Sequence, residues 1–301
     1  MIVAVIGIGS NSVRMLLAEV QGGRIRRIRR EREGTRLFAG LDEMRRLSAE
    51  AMVKTAAAVK AMADSARADG AQQLHLFATS ATRDAANQAE FAALLQAQSG
   101  LTLEICSGEE EAALSFYGAC GEGECGVIDI GGGSTELIAG QGMDVRCAIS
   151  CQMGAVRLSR TLPLRDHGDL PFVENAAAQI LQEQLRTHPA LTMPREWRGT
   201  GGTFTTLAAI VRGVHWTERT YMHGTVLELA DVDRLARVLS DMPMEERRSL
   251  PGLQPNRADI IVHGICILLA CMRTLGIDRI TVSEYGNLDG YLKRVYGPGE
   301  Y

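Results

Sequence analysis

Several kinds of segment are missing from this chain, and each absence closes off a class of function. The seven cysteines include the pairs Cys120/Cys125, Cys147/Cys151 and Cys266/Cys271 but no CxxC spacing. That argues against a zinc site, and the cysteines read as reduced, mostly buried thiols. The six histidines show no HxxxH or other paired spacing, so none is assigned a catalytic or metal role. Long apolar runs are also lacking. The longest, Ile260 to Leu275, carries His263 and Arg273 and is short for a bilayer span. The opening MIVAVIGIGS has no basic n-region and its apolar run ends in glycines, so it reads as a strand and not as a leader. The expected location is therefore cytoplasmic, with no membrane partner. Excess positive charge is absent as well. A formal net charge of -4 argues against a nucleic-acid partner, although a local arginine cluster can still hold a strongly anionic substrate.

With 301 residues, 46% of them hydrophobic, the chain can bury a full core, and its length favours two domains. An internal repeat supports that division. Val5 to Leu16 aligns without a gap on Val127 to Ile138, each copy being an apolar strand, a tight turn of small residues and a second apolar strand. The first continues through Gly22-Gly23 into a strand from Arg24 to Arg32, the second through Gln141-Gly142 into Val145 to Ile149. Both predict three-stranded meanders. Beyond the first lie a helix near Ser48 to Ala68, a strand Leu74 to Thr79, a helix Ala86 to Gln98, a strand Leu101 to Cys106 and a helix from Glu109. Beyond the second lie helices Val173 to Arg186 and Phe204 to Val211, a long helix near Arg257 to Leu275 and a strand Ile280 to Ser283. The order predicts an α/β fold of mixed sheets flanked by helices. No Pro/Ser-rich linker marks the boundary, which the repeat places near Ser115, giving domains 1–115 and 116–301.

Glycine and serine in a turn let the backbone approach an anion with successive N–H groups pointing at it. Three such turns occur, at Gly9 to Ser12, Gly131 to Ser134 and Gly199 to Thr203. Any one of them alone is better read as an ordinary hairpin. Two that belong to a repeat, and would face each other across an interdomain cleft, are better explained by a shared phosphate chain.

These turns resemble the two phosphate loops and third glycine turn of the actin, Hsp70 and sugar-kinase superfamily. Further segments narrow the likeness: Ala78 to Asn87 (ATSATRDAAN), Ser107 to Ala112 (SGEEEA), Asp129 to Glu136 (DIGGGSTE), Met153-Gly154 and Arg257 to Ile261 (RADII). In order and spacing they resemble the Ppx/GppA family of exopolyphosphatases and guanosine-pentaphosphate phosphatases, in its short two-domain form. The resemblance implies two similar ribonuclease H-like (actin-like ATPase) domains. It also implies release of terminal phosphate from polyphosphate, from guanosine pentaphosphate (pppGpp) of the stringent response, or from both, with magnesium. Carried over residue by residue, it assigns phosphate binding to Ser10, Asn11, Ser12, Arg83, Gly132, Gly133, Ser134, Gly201, Gly202 and Thr203. Catalysis falls to Glu111 and Glu136, and the metal to Asp129.

The residues themselves support part of this. Ser107 and Glu110 have the S-x-x-E form of a capping box, and Glu109 in the first turn is accounted for by the helix dipole. Glu111 is left over, and it matches the glutamate to which the resemblance assigns catalysis, as general base for water. Asp129 ends an apolar strand before a glycine turn, a costly place for a charge unless a cation or hydrogen bonds meet it. Glu136 by position alone reads equally as an exposed strand residue. Arg83, just past a strand end, suits bidentate phosphate contact. The run Arg24, Arg26, Arg27, Arg29, Arg30, Arg32 alternates with Ile25 and Ile28 and reads as a solvated strand face.

Two departures stand out. Gly7 occupies the place of a family aspartate, as its alignment on Asp129 also shows, and Gly286-Asn287-Leu288-Asp289-Gly290 replaces the family's G-L-R-E-G turn. An aspartate at position 7 is expected to fit if the backbone φ there is negative, and to strengthen magnesium dependence. The loss keeps open a weakly active or non-catalytic sensor of polyphosphate or (p)ppGpp. A small-molecule kinase of the same superfamily fits less well, because the SGEEEA glutamate belongs to the hydrolytic branch. Whether the chain forms a homodimer is left open by the sequence.

Overall fold

In the computed structural model, residues 1–188 and 194–297 are described, and they divide into two compact units. The first opens with β1 (Ile2–Ile8), β2 (Val13–Gln21) and β3 (Arg24–Glu33). It continues with α1 (Ala49–Ala68), β4 (Gln73–Ala78), the single turn α2 (Ser80–Arg83), α3 (Gln88–Ser99), β5 (Leu103–Ile105) and α4 (Gly108–Ala119). Its sheet has the order β3-β2-β1-β4-β5, with β1 to β3 an antiparallel meander and β4 and β5 parallel to β1.

The second unit runs through β6 (Glu124–Ile130), β7 (Thr135–Gln141), β8 (Asp144–Cys151), α5 (Ala155–Thr161), α6 (Leu170–Thr187), β9 (Trp197–Gly201) and α7 (Gly202–Arg212). It ends with β10 (Val226–Glu228), α8 (Leu229–Asp241), α9 (Met244–Arg248), α10 (Ile261–Leu275) and β11 (Arg279–Val282). Its sheet order, β10-β11-β9-β6-β7-β8, read from β8, repeats the first sheet and adds β10 at the edge. The chain is thus an α/β protein of two units built on the same sheet order. The repeat extends to single hydrogen bonds: the Gly9 N–H donates to the Ser12 carbonyl at 3.0 Å, and the Gly131 N–H to the Ser134 carbonyl at 3.0 Å.

The division differs from the expected one. The first unit comprises Met1–Gly118 together with the segment from Asn287, which holds the last helix, α11 (Asn287–Tyr296); the second is Ala119–Gly286. The physical reason is packing. Leu288, Tyr291 and Leu292 of α11 complete an apolar core with Val3, Val5, Leu16 and Phe77, and Tyr291 stacks on Phe77 at 5.2 Å. Each such buried side chain contributes roughly 1.5–3 kcal/mol. In the second unit α10 is buried along most of its length, from Ile261 to Met272, at the centre of the core.

Three local expectations need correction. Cys120 and Cys125 are joined as a disulfide, so the seven cysteines are not all thiols. The segment 199–203 is no turn between strands but the junction of β9 with α7, which adds a helix N-terminus to the glycines. The β3 arginines are not a uniformly solvated face. A register shift opposite Leu17 and Ala18 resets the alternation, so Ile25 is buried while Ile28 is exposed. Arg27 and Arg30 instead turn onto buried Asp289, with Nη2 atoms 2.5 and 2.9 Å from its carboxylate.

Candidate active site

Each unit carries its own half of the expected residues. In the first, the loop between β1 and β2 is held by its carbonyls: Phe38 N–H donates to Ser10 O at 2.9 Å and Arg36 N–H to Asn11 O at 3.1 Å. Because C=O and N–H lie on opposite sides of each planar peptide, the N–H groups of Asn11 and Ser12 are turned the other way. Ser10 Oγ lies 2.9 Å from Ser80 Oγ. The Asn11 side chain is only 7% exposed, and neither its Nδ2 nor its Oδ1 has a partner. Such a buried amide costs about 1–3 kcal/mol unless something binds it.

At the start of α4 the expected capping box is formed. Glu110 Oε2 accepts from the Ser107 N–H at 2.7 Å, and the Glu110 N–H donates to Ser107 Oγ at 3.1 Å, the reciprocal capping box. Glu111 is turned inward, 6% exposed. Arg83 Nη1 donates to Glu111 Oε2 at 3.0 Å and to the Cys106 carbonyl at 3.1 Å. Arg83 and Glu111, expected in separate roles, are therefore in contact. Arg83 Nη2 remains buried without a partner, a donor left for an anion.

In the second unit Asp129, Glu136 and Ser150 lie in one row across β6, β7 and β8, with Thr200 of β9 opposite Asp129 on the other side. Glu136 is 1% exposed and its Oε1 accepts from Ser150 Oγ at 2.9 Å. Its position is thus the buried one, not the exposed alternative. Asp129 Oδ1 packs on Gly201, 2.7 Å from where a Cβ would sit, and Gly201 has φ 96°, a conformation suited to glycine. The loop Gly131 to Gly133 is anchored by its carbonyls to the first N–H groups of α5, from Ala155 and Val156, at 3.0 and 2.9 Å. Gly154 makes this possible, since a Cβ there would lie 2.4 Å from Gly132. Ser134 is 1% exposed with Oγ unpartnered. Gly202 and Thr203 open α7, where N–H groups and the helix dipole favour an anion.

Two thiols near these carboxylates are unsuited to nucleophilic chemistry. Burial first, and Glu104 next, push the Cys106 thiol up to about 12; burial and then Glu136 push Cys151 up to about 12. Among the described residues no helix is long and apolar enough to cross a membrane.

The profile of the Ppx/GppA phosphatase family matches residues 16–296. The chain belongs to that family. Exopolyphosphatase 2 of Mycobacterium tuberculosis is 35% identical to it over 309 residues, covering 96% of both chains. A solved exopolyphosphatase-like protein superposes with a TM-score of 0.89 at 27% identity, covering 98% of this chain and 97% of its own. The Ppx/GppA family member of Aquifex aeolicus gives 0.80 at 28% identity, covering 100% and 99%.

Within this Ppx/GppA chain, sequence reading missed Arg257 as a site residue. Its guanidinium lies over the third glycine turn, with Nη1 1.6 Å from where a Cβ on Gly202 would be. The RADII motif was the available signal, but it named no role. Arg32, assigned to the solvated run, donates from Nε to Ser12 Oγ at 3.1 Å.

Proposed function

We propose that the protein hydrolyses the terminal phosphate of inorganic polyphosphate, with guanosine pentaphosphate as a second substrate of the same chemistry. The observation that carries this is Glu111. It is buried and held by Arg83, while its neighbour Glu110 is consumed by the helix cap. A buried carboxylate held in place by an arginine, and not taken up by the helix cap, is suited to accept the proton of an attacking water. Arg83 Nη2 and the N–H groups of the glycine loops then take up charge on the phosphoryl oxygens.

Magnesium fits the residues present. Asp129 and Glu136 are cross-strand neighbours, and no group of three or more His, Cys, Asp or Glu side chains is gathered among the described residues. One or two carboxylates plus substrate phosphates are the usual ligands of Mg²⁺, which keeps several waters. Asp129 would hold it, with Glu136 orienting a water bound to it or beside it. When bound, the ion neutralises charge on the phosphate oxygens. Glu111 remains the base, and Ser150 keeps Glu136 oriented.

Phosphate release from polyphosphate and from guanosine pentaphosphate, each with and without magnesium, tests the proposal. Release from polyphosphate that requires the metal is the expected result. Binding of either compound without release would establish the sensor instead.

A further inference from the structure

Three consecutive carbonyls of the second glycine loop are held from one side. Ala155 N–H donates to Gly131 O at 3.0 Å, and the N–H groups of Val156 and Arg157 both donate to Gly132 O, at 2.9 and 3.0 Å. The next carbonyl, that of Gly133, has no main-chain donor among the described residues. A side chain takes it instead: Arg157 Nε donates to Gly133 O at 2.6 Å. The guanidinium is braced in turn by Gln152, whose Oε1 accepts from Nη2 at 2.7 Å. A hydrogen bond from a charged donor is shorter and about twice as strong as a neutral one, so this last contact is a firm clamp.

Each planar peptide holds its C=O and N–H on opposite sides. With the carbonyls of Gly131, Gly132 and Gly133 turned to α5, the N–H groups of Gly132, Gly133 and Ser134 are turned away from it. None of the three donates to a backbone carbonyl among the described residues. The peptide that Arg157 controls is the one between Gly133 and Ser134. Arg157 therefore fixes the direction of the Ser134 N–H, on the same residue as a buried hydroxyl that has no partner. A cation on the carbonyl oxygen also polarises the amide, which makes its N–H the stronger donor. The loop of the first unit is fixed by other means, since the carbonyls of Ser10, Asn11 and Ser12 accept from the N–H groups of Phe38, Arg36 and Gly9. There main-chain donors suffice.

We infer that Arg157 is a positioning residue for phosphoryl transfer. By clamping Gly133 O it aims and strengthens the Ser134 N–H that takes up charge on a phosphoryl oxygen. The inference rests on the phosphohydrolase reading and adds to it a residue that acts through the loop. Preorganised donors count most where charge develops in the transition state, so losing the clamp should lower turnover more than it weakens binding.

The test compares Arg157→Gln and Arg157→Ala with Arg160→Gln, which removes an exposed arginine of the same helix and controls for charge. Phosphate release from inorganic polyphosphate is measured with magnesium, and the thermal midpoint alongside. The expected result is a fall in kcat of about tenfold in both Arg157 variants, with KM within about threefold and Arg160→Gln unchanged. Ethylguanidinium added to Arg157→Ala should restore a large part of the lost rate, a response that a purely structural role would not give. Should either variant fail to fold, Arg157→Lys, which keeps the charge and loses the Nε donor, is expected to show the same loss of kcat at an unchanged thermal midpoint. Wild-type kcat in the Arg157 variants overturns the positioning role and leaves the phosphohydrolase reading intact. So does an equal loss in Arg160→Gln, or a loss that follows the thermal midpoint and is not restored by the added guanidinium. A wild-type protein that releases no phosphate overturns both.

Discussion

Adjacent carboxylates on the first turn of α4 have different partners, Glu110 the Ser107 N–H and Glu111 the Arg83 guanidinium, and substitutions should separate the roles proposed for them. Glu111→Gln keeps shape but removes the proton acceptor, so turnover of polyphosphate should fall by about 100-fold or more with little change in KM. Glu110→Gln should leave turnover nearly intact and lower unfolding stability by about 1 kcal/mol through the weakened cap. Steady-state kinetics and denaturant unfolding on both variants check this, and the opposite pattern would refute the division. Arg83→Ala has two consequences, because the arginine also partners Glu111. Substrate affinity should fall in a salt-sensitive way, and stability should fall by about 3 kcal/mol as a buried carboxylate loses its charge partner. At Gly7 the earlier expectation of an easy fit meets the structure. The backbone φ is not positive, but a Cβ would lie 3.0 Å from both Leu288 Cδ2 and Phe77 Cζ. Gly7→Asp is now expected to cost about 1–3 kcal/mol by overpacking, with no gain in magnesium-dependent rate; faster phosphate release in that variant would restore the missing-ligand account.

Among elements, what the sequence made legible was what neighbours along the chain decide. The capping box of α4 needs only residues three apart, and the meanders need only alternation and a glycine turn, so both could be read directly. The roles of the β3 arginines could not. Arg27 meets Asp289 across 262 residues of chain, and a register shift on β2 decides which arginines face α11; neither leaves a trace in local pattern. The Arg83 to Glu111 contact was hidden for the same reason, although each residue was singled out separately. The glycines of the second loop were legible as a motif, but their support was not. Gly154 is the seat on which that loop rests, and Gly154→Ala should displace Gly132 and Gly133 from the N-terminus of α5. The expected outcome is at least a tenfold loss of kcat/KM. The change in thermal midpoint should be modest. Wild-type kinetics in that variant would show that the loop tolerates the shift.

Taken whole, the molecule carries titrating groups in both units that set the limits of its stability with pH. Burial lowers the pKa of His75 in the first unit and of His263 in the second below the usual 6.5. A lowered base is stabilising above its unfolded value, and that contribution is lost as pH falls through the folded value. Burial also pushes Cys106, Cys151 and Cys266 up from the usual 9.0 to about 12. That contribution is complete below about 9 and is lost as pH rises toward about 12. Urea unfolding at about pH 5, about pH 7.5 and about pH 10.5 should therefore show highest stability at the middle value. Cys106→Ala should flatten the alkaline fall; a fall unchanged in that variant would assign it to other groups. The return of α11 to the first unit has a consequence for biogenesis. The second unit is one continuous stretch, Ala119–Gly286, whereas the first needs a helix that begins at Asn287. A ribosome releases β1 to α4 early, but Leu288, Tyr291 and Leu292 cannot cover their core until the second unit has emerged, and a domain folds as a unit only when its parts are present. The unit translated first is the unit completed last.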